Sequence, residues 1–359
     1  MDLFLKILGD KALLGAVFST IFIILMGYYA RKKNIVPENA SKVLSAILLN
    51  LTLPALAFNA FMVNINEKTF KEGLSAFVFG FIAYALLIAV SFVIFAKYKG
   101  DKKDTLRILM IFGSTTFFGL PIINAILPSA TLYANLFNIA YRVFLYSYAL
   151  VVMSGKKFDK GNVKDIILNP IVLATFIGFA LWILQPYAPK VDVTIPAVIK
   201  NGEFVAAAPG QVAFYRVDLV FPWIFTGLQY LGNLSSPLAW LAIGMTLASI
   251  SLKDAVKDKD VWVYSVVKMA IIPLLFLGVM LVLNLVGGAV GFNLGYEAIF
   301  AVTVMLATPP ATVAVAYAIN YEKESVFASN ASLLSTVVSV FAIIVWVIIL
   351  TILNAGGMF

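Results

Sequence analysis

The chain returns again and again to apolar stretches of about twenty residues, long enough at 1.5 Å per helical residue to cross a hydrocarbon layer roughly 30 Å thick. A water-soluble fold has no interior large enough to hide them: 62% of the 359 residues are hydrophobic and 12% are charged, against about 25% charged in soluble domains. The bilayer is therefore the solvent. Lipid offers no partners to an open strand edge, and the strict alternation of a porin-type barrel is missing, so the stretches read as helices. The expected architecture is an all-α membrane protein with ten spans, at 12–30, 42–62, 72–96, 106–127, 131–153, 165–185, 223–250, 262–286, 296–319 and 326–353.

Cysteine and histidine are both absent, which removes disulfides, thiolate and imidazole metal sites, Cys or His nucleophiles and histidine proton relays. Neither HExxH nor an aspartate-rich metal motif occurs, so an intramembrane enzyme is poorly supported, and no cofactor is expected. The net charge of +8 does not point to nucleic acid, because the lysines are dispersed in short runs between apolar segments. They set orientation instead. With the N-terminus outside, 18 of the 26 basic residues fall on inner connections or their edges, in clusters at 31–42, 97–107, 156–164 and 253–268 and at Lys323. Both termini are then expected on the outer side of a cell membrane. The first apolar run lacks a small-residue cleavage site and reads as a retained helix.

Ten spans divide into five and five, and an odd number per half makes the second half enter from the opposite side. The inverted repeat this predicts has halves at 1–164 and 165–359. Asn50-Leu51-Thr52-Leu53-Pro54 in the second span is echoed by Asn233-Leu234-Ser235-Ser236-Pro237 in the seventh, and Gly119-Leu120-Pro121 in the fourth by Thr308-Pro309-Pro310 in the ninth. The segment at about 186–222 is an outer loop insert, in which Val191 to Ile195 and Gln211 to Val217 alternate as a surface hairpin would.

Proline inside a helix deletes a backbone donor and clashes one turn back, so Pro121 and the Pro309-Pro310 pair are expected to break the fourth and ninth spans near the midplane. Broken helices expose poles: half-helix N-termini suit a carboxylate, freed carbonyls a cation. Ser114, Thr115 and Thr116 lie beside the first break, Thr308 and Thr312 beside the second. Arg142 lies deep in the fifth span, beyond the reach of snorkelling, with Asn138 one turn before it. An intramembrane arginine costs about 2.5–3.5 kcal/mol and marks either a pathway or a structural pair. The expected binding residues are Ser114, Thr115, Thr116, Pro121, Asn138, Arg142, Thr308, Pro309, Pro310 and Thr312. Glu297, near the outer end of the ninth span, is the one acid placed near them. Lys268 is read as snorkelling from a span end, Asn50 and Asn233 as structural, and the stripe Asn330, Ser332, Ser335, Thr336, Ser339 as a packed helix face.

In these residues the sequence resembles the auxin efflux carrier family, which holds bacterial malate and malonate permeases and plant auxin exporters. The resemblance runs over nearly all the spans. It is carried by Gly27-Tyr28 with the basic cluster at 31–33, the stretch from Leu49 to Phe58, Gly113 through Ile122, and Asn169-Pro170. It continues through Leu231 to Ala239, Ile243 to Leu247, Ala307 to Ala311 and Ala331 to Thr336. The resemblance implies two inverted five-helix repeats, a crossover of the fourth and ninth spans at their prolines, and elevator motion against a scaffold of spans one, two, six and seven that makes a homodimer. It also implies a small organic anion as substrate, a carboxylate such as malate or malonate, with an auxin-like monocarboxylate as the variant and a channel or transporter-like sensor as the rival. Where the family commonly has asparagine seven residues before the fourth-span proline, this chain has Ser114.

Overall fold

The computed structural model describes residues 11–155, 168–195, 198–200, 203–249, 252–288 and 291–359. The basic residues Lys156, Lys157, Lys160 and Lys164 and the start of the sixth expected span lie outside them. The described chain is mostly helical. Its helices are α1 (Lys11–Lys32), α2 (Ala40–Asn59), α3 (Glu67–Ile94), α4 (Gly100–Ile111), α5 (Thr115–Ile126), α6 (Pro128–Ser154) and α7 (Pro170–Leu184). After the insert come α8 (Val217–Val220), α9 (Pro222–Ser249), α10 (Leu252–Lys257), α11 (Lys259–Gly287), α12 (Tyr296–Leu306), α13 (Thr312–Asn320) and α14 (Ser325–Ala355). By length and apolarity α2, α3, α6, α9, α11 and α14 can each cross a membrane, and α5, α7 and α12 are shorter apolar helices.

Local chemistry sets several boundaries. Asn66 starts α3 with a reciprocal cap, its side chain accepting from the Thr69 amide at 2.9 Å while the Thr69 hydroxyl accepts from the Asn66 amide at 3.0 Å. Asn169 caps α7, accepting from the amides of Ile171 and Val172, with Pro170 in the first turn where its missing N–H costs nothing. Three other prolines are absorbed by widened π turns: Leu48–Thr52 before Pro54, Thr115–Gly119 before Pro121, and Val267–Ile271 before Pro273. Each proline stands two residues past its turn, where a wider ring routes the backbone around the absent donor. Pro121 therefore does not interrupt its helix. The fourth expected span breaks earlier, at Phe112–Ser114, whereas the ninth breaks at Ala307–Ala311, around Pro309 and Pro310.

The helices gather into two bodies. In the first, the frame, α9 lies along α1 and α2, and α7 packs on α2. The α1–α9 crossing brings backbones together: a methyl on Gly27 would lie 2.3 Å from the Leu241 carbonyl oxygen, and one on Gly244 would lie 1.9 Å from that of Ile24. In the second body α3 packs on α6, α12 on α6 and α11, and α14 on α11 and α13. Its core is aromatic, with Tyr84, Phe79, Phe112 and Phe137 fully buried and in ring contact.

The insert is the exception to the helical architecture, and the surface hairpin expected there is present. Strand β1 (Lys190–Ile195) pairs antiparallel with β4 (Ala208–Ala213), and β2 (Val198–Lys200) with β3 (Glu203–Val205). The register runs from Lys190 opposite Ala213 to Ile195 opposite Ala208. Alternating β-branched residues Val191, Val193 and Ile195 favour this extended form. The strand expected at 211–217 ends at Ala213, and Val217 opens α8. Arg216 ties the insert down, gripping Asp218 at 2.7 and 2.6 Å and donating to Asn64 at 2.5 Å.

Candidate functional site

The two interruptions meet. Phe112 to Ser114 and Pro309 to Ala311 run antiparallel past each other, with the Ser114 amide donating to the Pro309 carbonyl at 2.6 Å and the Ala311 amide to the Phe112 carbonyl at 2.8 Å. Gly113 stands opposite Pro310, and a side chain there has no room, since a methyl would sit 2.3 Å from Thr308 Oγ1. This pairing makes a crossover: α4 and α12 end at it, and α5 and α13 begin from it. Amides in the first turn of a helix have no carbonyl one turn earlier, so both α5 and α13 present free donors and a positive pole.

Those beginnings face a cavity of about 610 Å³ in the seam between the bodies. Ser114, Thr116, Pro309, Pro310 and Thr312 line it from the crossover, Tyr141, Arg142 and Tyr146 from α6, and Ser329, Ser332 and Thr336 from α14. The frame contributes Ser45 and Asn50 from α2, Asn169 at the cap of α7, and Thr246 from α9. Among the described residues Arg142 is the one charged residue of the lining, and no carboxylate accompanies it. Its residue is 4% exposed; Nη1 donates to Thr175 Oγ1 at 2.9 Å, and Nη2 has no partner. Leaving a buried charged donor unfilled is costly, so the geometry calls for an acceptor.

Of the residues expected at a site, Ser114, Thr116, Arg142, Pro309, Pro310 and Thr312 come together on this cavity, and Thr115, Pro121, Asn138 and Thr308 do not line it. Thr115 is buried at the start of α5. The Pro121 carbonyl accepts from Ser236 of α9 at 2.7 Å, tying the crossover body to the frame. Asn138 is fully buried one turn from Arg142 with neither amide atom partnered. The Thr308 hydroxyl turns back to the Met305 carbonyl at 2.6 Å.

Several residues were read differently from the sequence. Ser332 and Thr336, read as a packing stripe, and Asn50, read as structural, line the cavity. Their spacing was the signal: 329, 332 and 336 are one face of a helix. Lys268 does not snorkel; it is fully buried, and its Nζ donates to the Met110 carbonyl at 2.8 Å. A buried acid also escaped notice. Glu72 of α3 is 3% exposed and accepts from the Tyr133 hydroxyl at 2.8 Å. With Glu297 it lines a second cavity of about 450 Å³ in the same seam. The two cavities take their α9 walls from residues 229–233 and 243–247, which puts them about 20 Å apart along the helix axis.

The profile of a family described as membrane transport protein matches residues 12–347, nearly the whole chain and every residue of the crossover and its cavity. The chain belongs to this family, that of the auxin efflux carriers. It is a membrane transporter. An uncharacterized transporter of Methanocaldococcus jannaschii is similar to it, 20% identical over 247 residues that cover 68% of this transporter and 71% of the relative. The transporter's crossover, Arg142 and the cavity between them all lie within the matched residues.

Proposed function

We propose that the transporter carries a small organic anion, a carboxylate such as malate or malonate, by alternating access of the elevator type. Arg142 is the observation that carries this reading. A guanidinium with one unfilled nitrogen, in a lining without acids, stands beside two half-helix beginnings that no side chain caps. One full charge and two poles of about half a charge each attract an anion strongly, and a dicarboxylate can engage both sources at once. The apolar remainder of the wall lowers the local dielectric and strengthens each contact.

In this reading the chain crosses a cell membrane ten times as two inverted five-helix repeats, 1–164 and 165–359, with both termini outside. The frame helices α1, α2, α7 and α9 are the stationary scaffold and join a second copy, and the crossover body shuttles the substrate between the two ends of the seam. Two cavities at opposite ends of that seam support such a path. Counterflow of radiolabelled malonate in proteoliposomes tests the proposal. Saturable, trans-stimulated uptake is expected, and flux that does not saturate would assign the chain to channels instead.

A further inference from the structure

The crossover has negative ends as well as positive ones, and the substrate cavity deals only with the latter. Helices α4 and α12 finish at the crossover with their carbonyl ends toward it. On α12 the Met305 carbonyl already accepts from the Thr308 hydroxyl at 2.6 Å, whereas on α4 the last carbonyls have lost the amides that a continuing helix would bring. Met110 is such a case, because the Ser114 amide that would reach it goes to Pro309 instead. Two residues of α11, one turn apart, take over: the Tyr264 hydroxyl donates to the Leu109 carbonyl at 3.0 Å and Lys268 Nζ to that of Met110 at 2.8 Å. The end of α12 converges on the same place. A methyl built on Gly113 would meet Lys268 Nζ at 3.1 Å and the Met305 carbonyl at 3.3 Å, so the ammonium and both helix ends surround one glycine.

Lys268 is fully buried, and among the described residues no charged side chain pairs with it. An ammonium alone in the membrane interior is expensive and persists only where something answers its charge. Two helix C-termini of about half a negative charge each add to about one elementary charge, the match for one ammonium. A diffusible alkali cation bound by freed carbonyls would serve the same ends. Lys268 stands in that position.

We propose that Lys268 is the crossover's resident cation: it neutralises the two carbonyl ends from within the chain, leaves the positive ends free for the anion, and makes transport independent of an alkali-metal co-ion. This rests on the carboxylate reading for its flux consequence but not for its stability consequence, so the two are separable.

The experiment compares purified wild type, Lys268→Ala and Lys268→Met in sodium chloride and in N-methylglucamine chloride at equal ionic strength, by thermal unfolding without any carboxylate and by radiolabelled malonate counterflow. For the wild type, the unfolding midpoint and the flux are expected to be the same in both salts. Lys268→Met fills the same space without charge and is expected to lose flux by about tenfold or more. Lys268→Ala is expected to unfold at a lower temperature and to be restored in part by n-propylammonium or sodium, which fit the vacated space, and not by bulky N-methylglucamine. A wild type that needs sodium for stability or flux, a methionine variant equal to wild type, or an alanine variant indifferent to all three cations would overturn the assignment. If the alanine variant does not fold, the wild-type salt comparison and the methionine variant decide. Loss of malonate flux in every protein, with the cation pattern of unfolding intact, would instead count against malonate as substrate.

Discussion

Arg142 Nη1 donates to Thr175 Oγ1 across 2.9 Å, and that hydroxyl donates in turn to the Ile171 carbonyl of its own helix at 2.7 Å. The bond spans the seam, from α6 in the crossover body to α7 in the frame, and it holds the guanidinium at the cavity wall while Nη2 stays free. Position and availability are thus supplied by different nitrogens of one side chain.

Replacing Arg142 by alanine removes the charge that the cavity is built around. Malonate counterflow is expected to fall by about 10- to 100-fold, the worth of a charged hydrogen bond of roughly 1.5–3 kcal/mol. The malonate-induced rise in unfolding temperature should vanish with it. Arg142→Lys keeps a charge but cannot serve two partners from one fork, so intermediate flux is expected. Wild-type uptake by the alanine variant would take Arg142 out of the site.

Thr175→Val keeps the shape and deletes the acceptor. The variant is expected to lose about 1–3 kcal/mol of stability, because a buried charged donor goes unanswered. It should still respond to malonate in thermal unfolding, since the anion meets Nη2. A variant with full stability but no malonate response would reverse these roles.

Gly113→Ala forces a methyl to 2.3 Å from Thr308 Oγ1, with the Met305 carbonyl close behind. Overpacking at a site this tight costs about 1–3 kcal/mol or more. Thr308→Ala removes the nearest obstacle, so the double variant should be more stable than the sum of the single losses predicts. A thermal or chemical unfolding cycle over the four proteins measures that coupling, and strict additivity would mean the two residues do not touch.

Gly27→Ala and Gly244→Ala set a methyl against backbone oxygens of the facing helix, at 2.3 and 1.9 Å. Backbone cannot step aside as a side chain can, so α1 and α9 must part. Both variants are expected to show sharply lower folded yield in size-exclusion chromatography, with Gly278→Ala, where a methyl meets nothing within 4 Å, as the matched control.

The helices were legible because apolar length is a property of local sequence, and the ninth-span break was legible because Pro309 and Pro310 delete two donors in a row. The fourth-span break was misplaced for an instructive reason. Proline at 121 has its defect absorbed by the π turn at Thr115–Gly119, whereas Phe112–Ser114 is held extended by partners nearly two hundred residues away, which no local pattern reports. Gly113 was the available hint, as a residue without Cβ where two backbones pass. Lys268 was misread because distance from a span end does not say which way a helix faces: it points into the second body, not along the lipid. Glu72 likewise looked like the edge of a span, and only the approach of Tyr133 and Gly295 encloses it.

The pairing of Phe112 and Ser114 with residues 309–311 has a consequence for how the molecule is made. At about 5–20 residues per second, a ribosome that has finished Ser114 needs roughly 10–40 seconds to deliver Pro309. Throughout that interval the nascent first half holds a carbonyl and an amide whose eventual partners have not yet been synthesised. Whatever shelters those two groups during insertion, be it water, the translocon wall or a neighbouring hydroxyl, must let go when the late segment arrives, so forming the crossover is an exchange rather than a simple closure.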